Sequence, residues 1–168
     1  MELFAIKGKR DASIVVSVPH NGSWIPGEIR RQLAVPVEEV QEKVDDYADA
    51  LAAMAEPFAA VVKGNVSRAV VDLNRSGTVA ELDLKCDPER ERERLVRLFD
   101  AGGRLLWKAP IGRPPISRME LERRIALYHE PYHVALQACL ERSKRPRILV
   151  DMHSMSDSAF DLIIGDFR

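Results

Sequence analysis

Cysteine is scarce in this chain, and its charges are almost balanced. Cys86 and Cys139 are the two cysteines and form no CxxC spacing, so neither a disulfide framework nor a cysteine zinc site is predicted. The net charge of −1 contains no block of like charge, so nothing indicates a nucleic-acid partner or polybasic membrane binding. We therefore expect a protein of the reducing cytoplasm.

Long apolar runs are also missing. No stretch approaches the roughly 18 apolar residues that a membrane span needs, and residues 1–8 are too short and mixed for a signal peptide. The 168 residues, 46% of them hydrophobic, instead suit one soluble domain over residues 1–168 with a core of its own.

Two apolar strands each lead to a histidine. Residues 13–22, SIVVSVPHNG, carry a β-branched run into His20 and a Gly-containing turn. Residues 147–154, RILVDMHS, end in the same way on Asp151, His153 and Ser154. Because ligands of open α/β sheets gather at the carboxyl ends of strands, the two histidines could share one metal ion. The alternative for either one alone is a polar loop residue bonded to backbone.

Further strands and helices are predicted along the chain. Strands are predicted at residues 2–6, 59–63 and 66–73, and helices at residues 27–33, 37–54, 88–99 and 117–142. A capping box of Ser117 and Glu120 opens the last helix, and Pro131 should kink it. Residues 101–115 are rich in Gly and Pro and are predicted to form a loop that Trp107 anchors.

The helix predicted at residues 37–54 carries two aspartates in its middle. Its apolar positions recur at intervals of three and four: Val40, Val44, Tyr47, Leu51 and Met54. Asp45 and Asp46 are expected on the solvated face by default. Asp46, however, directly precedes Tyr47 and could border the buried stripe.

Residues 67–75, SRAVVDLNR, combine an apolar centre with polar ends. An arginine fork beside an amide donor suits recognition of a carboxylate, because charge-assisted bidentate bonds fix orientation as well as charge. Arg68, Asn74 and Arg75 are therefore candidates for substrate binding. The alternative is that Arg75 pairs with Asp72 or with another surface acid.

Residues 129–133, HEPYH, match the HExxH pattern of zinc proteases. In that interpretation His129 and His133 bind zinc and Glu130 acts as the base. Pro131 weakens it, because it disturbs the helical turn that must hold both imidazoles in register. The alternative is an ordinary helix in which His133 makes a polar contact.

Four segments together resemble the N-formylglutamate amidohydrolase family, in order and spacing, across nearly the whole chain. They are VPHNG at 18–22, SRAVVDLNR at 67–75, EPYH at 130–133 and VDMHS at 150–154. DLNR with DxHS is the most specific pair. The resemblance implies the fold of the wider relatives, which are aspartoacylase, succinylglutamate desuccinylase and the zinc carboxypeptidases. That fold is a three-layer α/β domain in which helices flank a central mixed, largely parallel sheet.

The resemblance also implies a zinc ion. By similarity His20 and His153 are ligands of the metal. Relatives take a carboxylate three residues after the first histidine, but Ser23 stands at that position here, and Asp46 is the implied third ligand. Two imidazoles and one carboxylate leave one zinc position for water, whose pKa the metal lowers.

By the same resemblance, Arg68, Asn74 and Arg75 bind a substrate carboxylate. The relatives supply their general base, a glutamate, from a segment that would follow Arg168, so the chain is expected to lack the C-terminal part of the family fold. Glu130 is the nearby substitute.

The implied reaction is zinc-dependent hydrolysis of an N-acyl amino acid, most simply N-formylglutamate to formate and glutamate; the sequence does not define the acyl group. The alternative is a domain that binds zinc and an acidic amino acid without turnover. The apolar strand at residues 162–164 would lack later strands beside it, which favours a homodimer.

Overall fold

A computed structural model gives the fold and describes residues 2–41, 47–100, 102–142, 147–153 and 162–166. Its strands are Phe4–Gly8 (β1), Ile14–Val18 (β2), Ala59–Gly64 (β3), Ile148–Met152 (β4) and Leu162–Asp166 (β5). They form one sheet in the order β1-β3-β2-β4-β5.

The three central strands of this sheet are parallel. β2 pairs with β3 on one side and with β4 on the other, so that Val16 lies between Val61 and Val150. β1 and β5 are antiparallel edge strands. The predicted α/β fold with a mixed sheet is confirmed, and the carboxyl ends of β2, β3 and β4 lie together at one edge of the sheet.

In the part of the chain that the structure describes, the helices are Gly27–Arg30 (α1), Val37–Gln41 (α2), Ala48–Ala55 (α3), Arg118–Arg124 (α4) and Glu130–Arg142 (α5). A π-helical turn, Ile125–His129, joins α4 to α5, and 3₁₀ turns occupy Glu81–Leu84 and Pro88–Glu93. The Ser117 hydroxyl accepts the Glu120 amide at 3.2 Å, which confirms the predicted start of the long helix. The Glu120 carboxylate also accepts from Arg123 at 2.8 Å and from Arg124 at 2.9 Å. None of the described helices is long and apolar enough to cross a membrane.

The two faces of the sheet bury cores of different size. Val15 and Val62 face the larger core, to which α5 contributes Tyr132 and Leu136. The opposite face, with Val16, Val18 and Val61, is covered by the small side chains of α3: Ala48, Ala52 and Ala55. Since successive strand residues point to opposite faces, the apolar run of β2 is explained by burial on both sides.

Residues 66–73, predicted as a strand, do not form one. Val66 makes a single bridge to Trp24, and a turn follows in which the Val70 amide donates to the Ser67 carbonyl at 2.9 Å. Ala69, Val70 and Val71 are nevertheless buried. The apolar run therefore reports burial and not strand pairing.

Two predicted helices also differ. Residues 37–54 are not one helix, because Tyr47 has a φ of +70° and α3 begins only after it. The predicted stripe is wrong at Tyr47 and Met54, which are exposed, while Val40 is buried and Leu51 is partly buried. A helix was predicted at residues 88–99, but the structure has only a 3₁₀ turn there, which ends at Glu93. Arg94, directly after it, has an extended backbone, and the Glu91 carboxylate accepts hydrogen bonds from the Leu98 and Phe99 backbone amides.

Trp107 anchors its loop, as predicted. The residue is 1% exposed, and its indole N–H donates to the Arg97 carbonyl at 2.6 Å. The Arg124 guanidinium lies 4.5 Å from the ring centroid, a cation–π contact with a buried partner.

Candidate active site

His20 and His153 meet at the carboxyl edge of the parallel strands. β2 and β4 are neighbours with Ser17 opposite Asp151, so the residues that follow the two strands lie side by side. The imidazole centroids of His20 and His153 are 4.7 Å apart, with the ring planes tilted by 53°. The structure thus brings together the two histidines that the sequence places at strand ends.

Asp72 holds His20 in place. Its Oδ1 lies 2.6 Å from His20 Nε2 and also accepts a hydrogen bond from the backbone N–H of Asn74 at 2.9 Å. Its Oδ2 accepts from Arg68 Nη2 at 3.0 Å. One buried carboxylate therefore connects a histidine, an arginine and the backbone of the DLNR segment.

The surroundings of Asp72 favour its ionised form. Burial raises the pKa of the Asp72 carboxyl. The His20 imidazole, the Arg68 charge and the backbone N–H of Asn74 together nevertheless hold that pKa well below 3.8. The carboxylate remains an acceptor at every physiological pH. It can therefore orient His20 permanently.

Asp151 and Asn74 flank His153. Asp151 Oδ2 and Asn74 Nδ2 both lie 3.0 Å from His153 Nε2. A ring nitrogen that donates to the carboxylate cannot also accept from the amide, so the tautomer of His153 selects one of the two contacts. With Nε2 protonated, His153 repeats the arrangement of His20, in which an aspartate accepts from Nε2.

Arg68 and Arg97 lie near Asp72, and Arg75 lies beside Asn74. Arg68 is half-buried against Asp72. Burial lowers the pKa of Arg97, and the neighbouring Arg68 charge lowers it further. Arg75 directly follows Asn74, and its Nη1 donates to the Asn74 carbonyl at 3.3 Å. Like charges held near each other favour an anion between them.

The HEPYH histidines lie on the other side of the DLNR segment. His129 Nε2 donates to the Arg75 carbonyl at 2.8 Å, and His133 Nε2 donates to the Leu73 carbonyl at 2.9 Å. Their rings stack with centroids 4.2 Å apart and planes only 29° from parallel. In-plane lone pairs on nearly parallel rings do not converge on one tetrahedral ion, so the geometry argues against the zinc-protease interpretation.

The structure does not place the predicted third metal ligand, Asp46, or the predicted base, Glu130, in this cluster. Asp46 lies outside the described residues. Glu130 is exposed at the first position of α5, next to the buried His129. Among the residues that the structure describes, no group of three or more His, Cys, Asp or Glu side chains has the geometry to hold a metal ion.

Sequence reasoning missed the roles of Asp72 and Asp151. Asp72 is separated from His20 by 52 positions, so no local pattern joins them. The available signal was the position of each aspartate inside a motif already singled out, DLNR and DMHS. A carboxylate two residues from a strand-end histidine, as Asp151 is from His153, is a natural partner for its second ring nitrogen.

Fold and site together define an α/β protein with a polar cluster of paired histidines, aspartates and arginines at the carboxyl ends of parallel strands, the location at which such folds bind ligands. The model of the N-formylglutamate amidohydrolase family matches residues 12–167. The chain belongs to that family. A search of curated protein sequences found no match.

A solved structure has a similar fold. The crystal structure of N-formylglutamate amidohydrolase from Ralstonia eutropha JMP134 matches with a TM-score of 0.74 and 21% sequence identity. The match covers 90% of this chain and 57% of the other, so this chain spans little more than half the length of that protein.

Proposed function

We propose that this chain is the zinc-binding part of an amidohydrolase that cleaves the amide bond of an N-acyl amino acid, with N-formylglutamate as its substrate. Family membership over residues 12–167 supports the reaction class. Hydrolysis adds water across the formyl C–N bond and gives formate and the free amino group of glutamate.

The observation that carries the proposal is the pairing of each strand-end histidine with an aspartate. Ligand histidines usually donate their second ring N–H to a carboxylate, which fixes the ring and makes it more basic. His20 has Asp72 at 2.6 Å from Nε2, and His153 has Asp151 at 3.0 Å. Neutral rings that donate through Nε2 present Nδ1 as the lone-pair nitrogen, and two tilted imidazoles suit zinc. When bound, zinc would polarise the formyl carbonyl and activate water.

The third ligand in this proposal is Asp46, by family resemblance. It precedes Tyr47, where the backbone takes a left-handed conformation with a φ of +70°. A bulky residue in that conformation is uncommon, and such strain clusters at functional sites.

Arg68, Asn74 and Arg75 would hold the substrate carboxylates. Asp72 connects this group to the metal site, because it binds Arg68 and the Asn74 amide as well as His20. The nearby Arg97 adds positive charge to the same region. Substrate orientation and metal orientation thus depend on one carboxylate.

One observation favours a second candidate, a domain that binds the ligand without turnover. Asp72 and Asp151 each lie within hydrogen-bond distance of an imidazole Nε2 and serve there to orient a histidine, so neither suits the task of moving a proton from water to the leaving amine. A general base contributes about 10²–10⁴ in rate. Glu130, exposed on α5, is a poor substitute.

The experiment is metal analysis and formate release on protein purified without chelator. One zinc per chain and turnover of N-formyl-L-glutamate would support the amidohydrolase. Zinc and L-glutamate binding without formate release would select the binding domain. Absence of zinc from the wild-type protein would reject both.

A further inference from the structure

His129 and His133 donate hydrogen bonds to the backbone of the proposed substrate-binding segment. Their acceptors are the Arg75 and Leu73 carbonyls, at 2.8 and 2.9 Å. A carbonyl only accepts, so both rings must carry their proton on Nε2. The two bonds clamp the backbone on both sides of Asn74.

The helix is built so that both rings face this segment. Pro131 has no N–H to give to the carbonyl four residues earlier. The preceding turn is wound as a π-helix, in which the Glu130 amide bonds to the Ile125 carbonyl five residues back. Such turns often occur at functional sites. The predicted kink at Pro131 thus takes the form of a wider turn, and His129 and His133 stack over each other.

The chain beyond Arg75 also packs tightly on the His129 ring. A Cβ atom at Gly77 would lie 3.0 Å from the Cε1 and Nδ1 atoms of His129. A side chain at this position would require the ring to shift by a few tenths of an ångström. His129 therefore fixes the segment through a hydrogen bond at Arg75 and through contact at Gly77.

We propose that His129 and His133 are positioning residues for substrate binding. They hold the Leu73–Arg75 backbone so that the Asn74 and Arg75 side chains meet the substrate carboxylate. This inference rests on the proposed function, since it assigns these two residues to the same site. It leaves metal binding to His20 and His153.

Two types of substitution separate positioning from simple support of the helix. His129→Phe and His133→Phe keep a ring for stacking and remove the N–H donor. His129→Gln and His133→Gln place an amide N–H near the former Nε2 and should rescue. Val134→Ala, at a position 68% exposed on the same helix, is the control. If a Phe variant does not fold, the corresponding Asn variant, whose amide is too short to reach the carbonyl, takes its place.

The measurements are KM and kcat for N-formyl-L-glutamate, the Kd of L-glutamate, the zinc content, and hydrogen exchange of the Asn74 and Arg75 amides. Loss of one hydrogen bond should raise KM and Kd about 3- to 10-fold in each Phe variant. Exchange at both amides should be faster, kcat and zinc content should stay near the wild type, and the Gln variants should recover most of the change.

Unchanged KM, Kd and amide exchange in both Phe variants would overturn the inference, as would loss of zinc in proportion to activity. Failure of the proposed function gives a different result, because the wild-type protein would then neither hydrolyse N-formylglutamate nor bind glutamate. In that case the role in substrate binding is rejected together with the proposed function, and faster exchange with Gln rescue shows only that the two histidines hold the Leu73–Arg75 backbone.

Discussion

The four histidines of this chain form two close pairs that differ in their partners. His20 and His153 follow strands, and aspartate oxygens face their Nε2 atoms. His129 and His133 lie on a helix, and backbone carbonyls of the DLNR segment accept from theirs. The first pair is tilted by 53° and the second by 29°.

This difference shows that residue type and spacing do not fix the role of a histidine. HEPYH has the more familiar zinc spacing, yet its two histidine rings are stacked and donate hydrogen bonds to backbone carbonyls. The strand-end histidines are more than a hundred residues apart in sequence, and the parallel sheet brings them together. The acceptor at Nε2 and the tilt of the rings decide which pair suits a metal ion.

The largest expected effect comes from the strand-end pair. His20→Ala or His153→Ala should reduce formate release to background, because each removes one proposed metal ligand. His129→Gln and His133→Gln should retain activity. Comparable losses in all four variants would remove the distinction between the pairs.

Arg75→Lys should have the next largest effect, because it keeps the charge and removes the fork. Loss of a contact to a buried carboxylate costs about 2–5 kcal/mol in transition-state binding. kcat/KM for N-formyl-L-glutamate measures it. Arg113→Lys, at an exposed loop position, is the matched control. Equal kcat/KM values for both variants would exclude Arg75 from substrate recognition.

Asp72→Asn should weaken metal affinity or activity about 10- to 100-fold, the usual cost of losing a carboxylate partner of a ligand histidine. The amide keeps the shape of the side chain but lacks the charge that orients His20 and pairs with Arg68. Titration with a competing chelator measures the zinc affinity. Asp49→Asn, on an exposed part of α3, should leave it unchanged. Unchanged zinc affinity and activity in the Asp72→Asn variant would show that the Asp72–His20 contact does not contribute to metal binding.

The smallest expected effect is on the pH dependence of the free energy of unfolding, to which His133 of the helical histidine pair contributes. Burial lowers the pKa of His133 below 6.5, and the neighbouring His129 lowers it further. The unfolded chain therefore takes up a proton at higher pH than the folded one, and the free energy of unfolding falls as the pH drops below 6.5. His133→Gln should flatten this dependence in urea unfolding series. The same slope in variant and wild type would show that His133 does not titrate in this way.

Much of the fold follows from local signals. β-branched runs gave β2 and β3 at nearly their observed bounds, and Ser117 marked the start of the long helix. Convergence of His20 and His153 followed from the rule that parallel strands end at one edge. These features depend on neighbours in sequence or on a general property of sheets.

The remaining features depend on contacts between distant residues. Residues 66–73 are buried like a strand, but their partners are elsewhere: the Asp72 amide donates to the Leu95 carbonyl at 2.7 Å. The ionised Asp72 under His20 and the carbonyl partners of His129 and His133 are contacts of the same kind. Periodicity registers burial and cannot register a partner 50 or more positions away.

The most direct test of the difference between the two pairs is zinc stoichiometry in four purified variants, His20→Ala, His153→Ala, His129→Phe and His133→Phe, measured beside the wild type after identical chelator-free purification. We expect one zinc per chain in the wild type and in both Phe variants, and little or none in either Ala variant. Zinc retained by both Ala variants, or lost from both Phe variants, would contradict the assignment of the metal to the strand-end histidines.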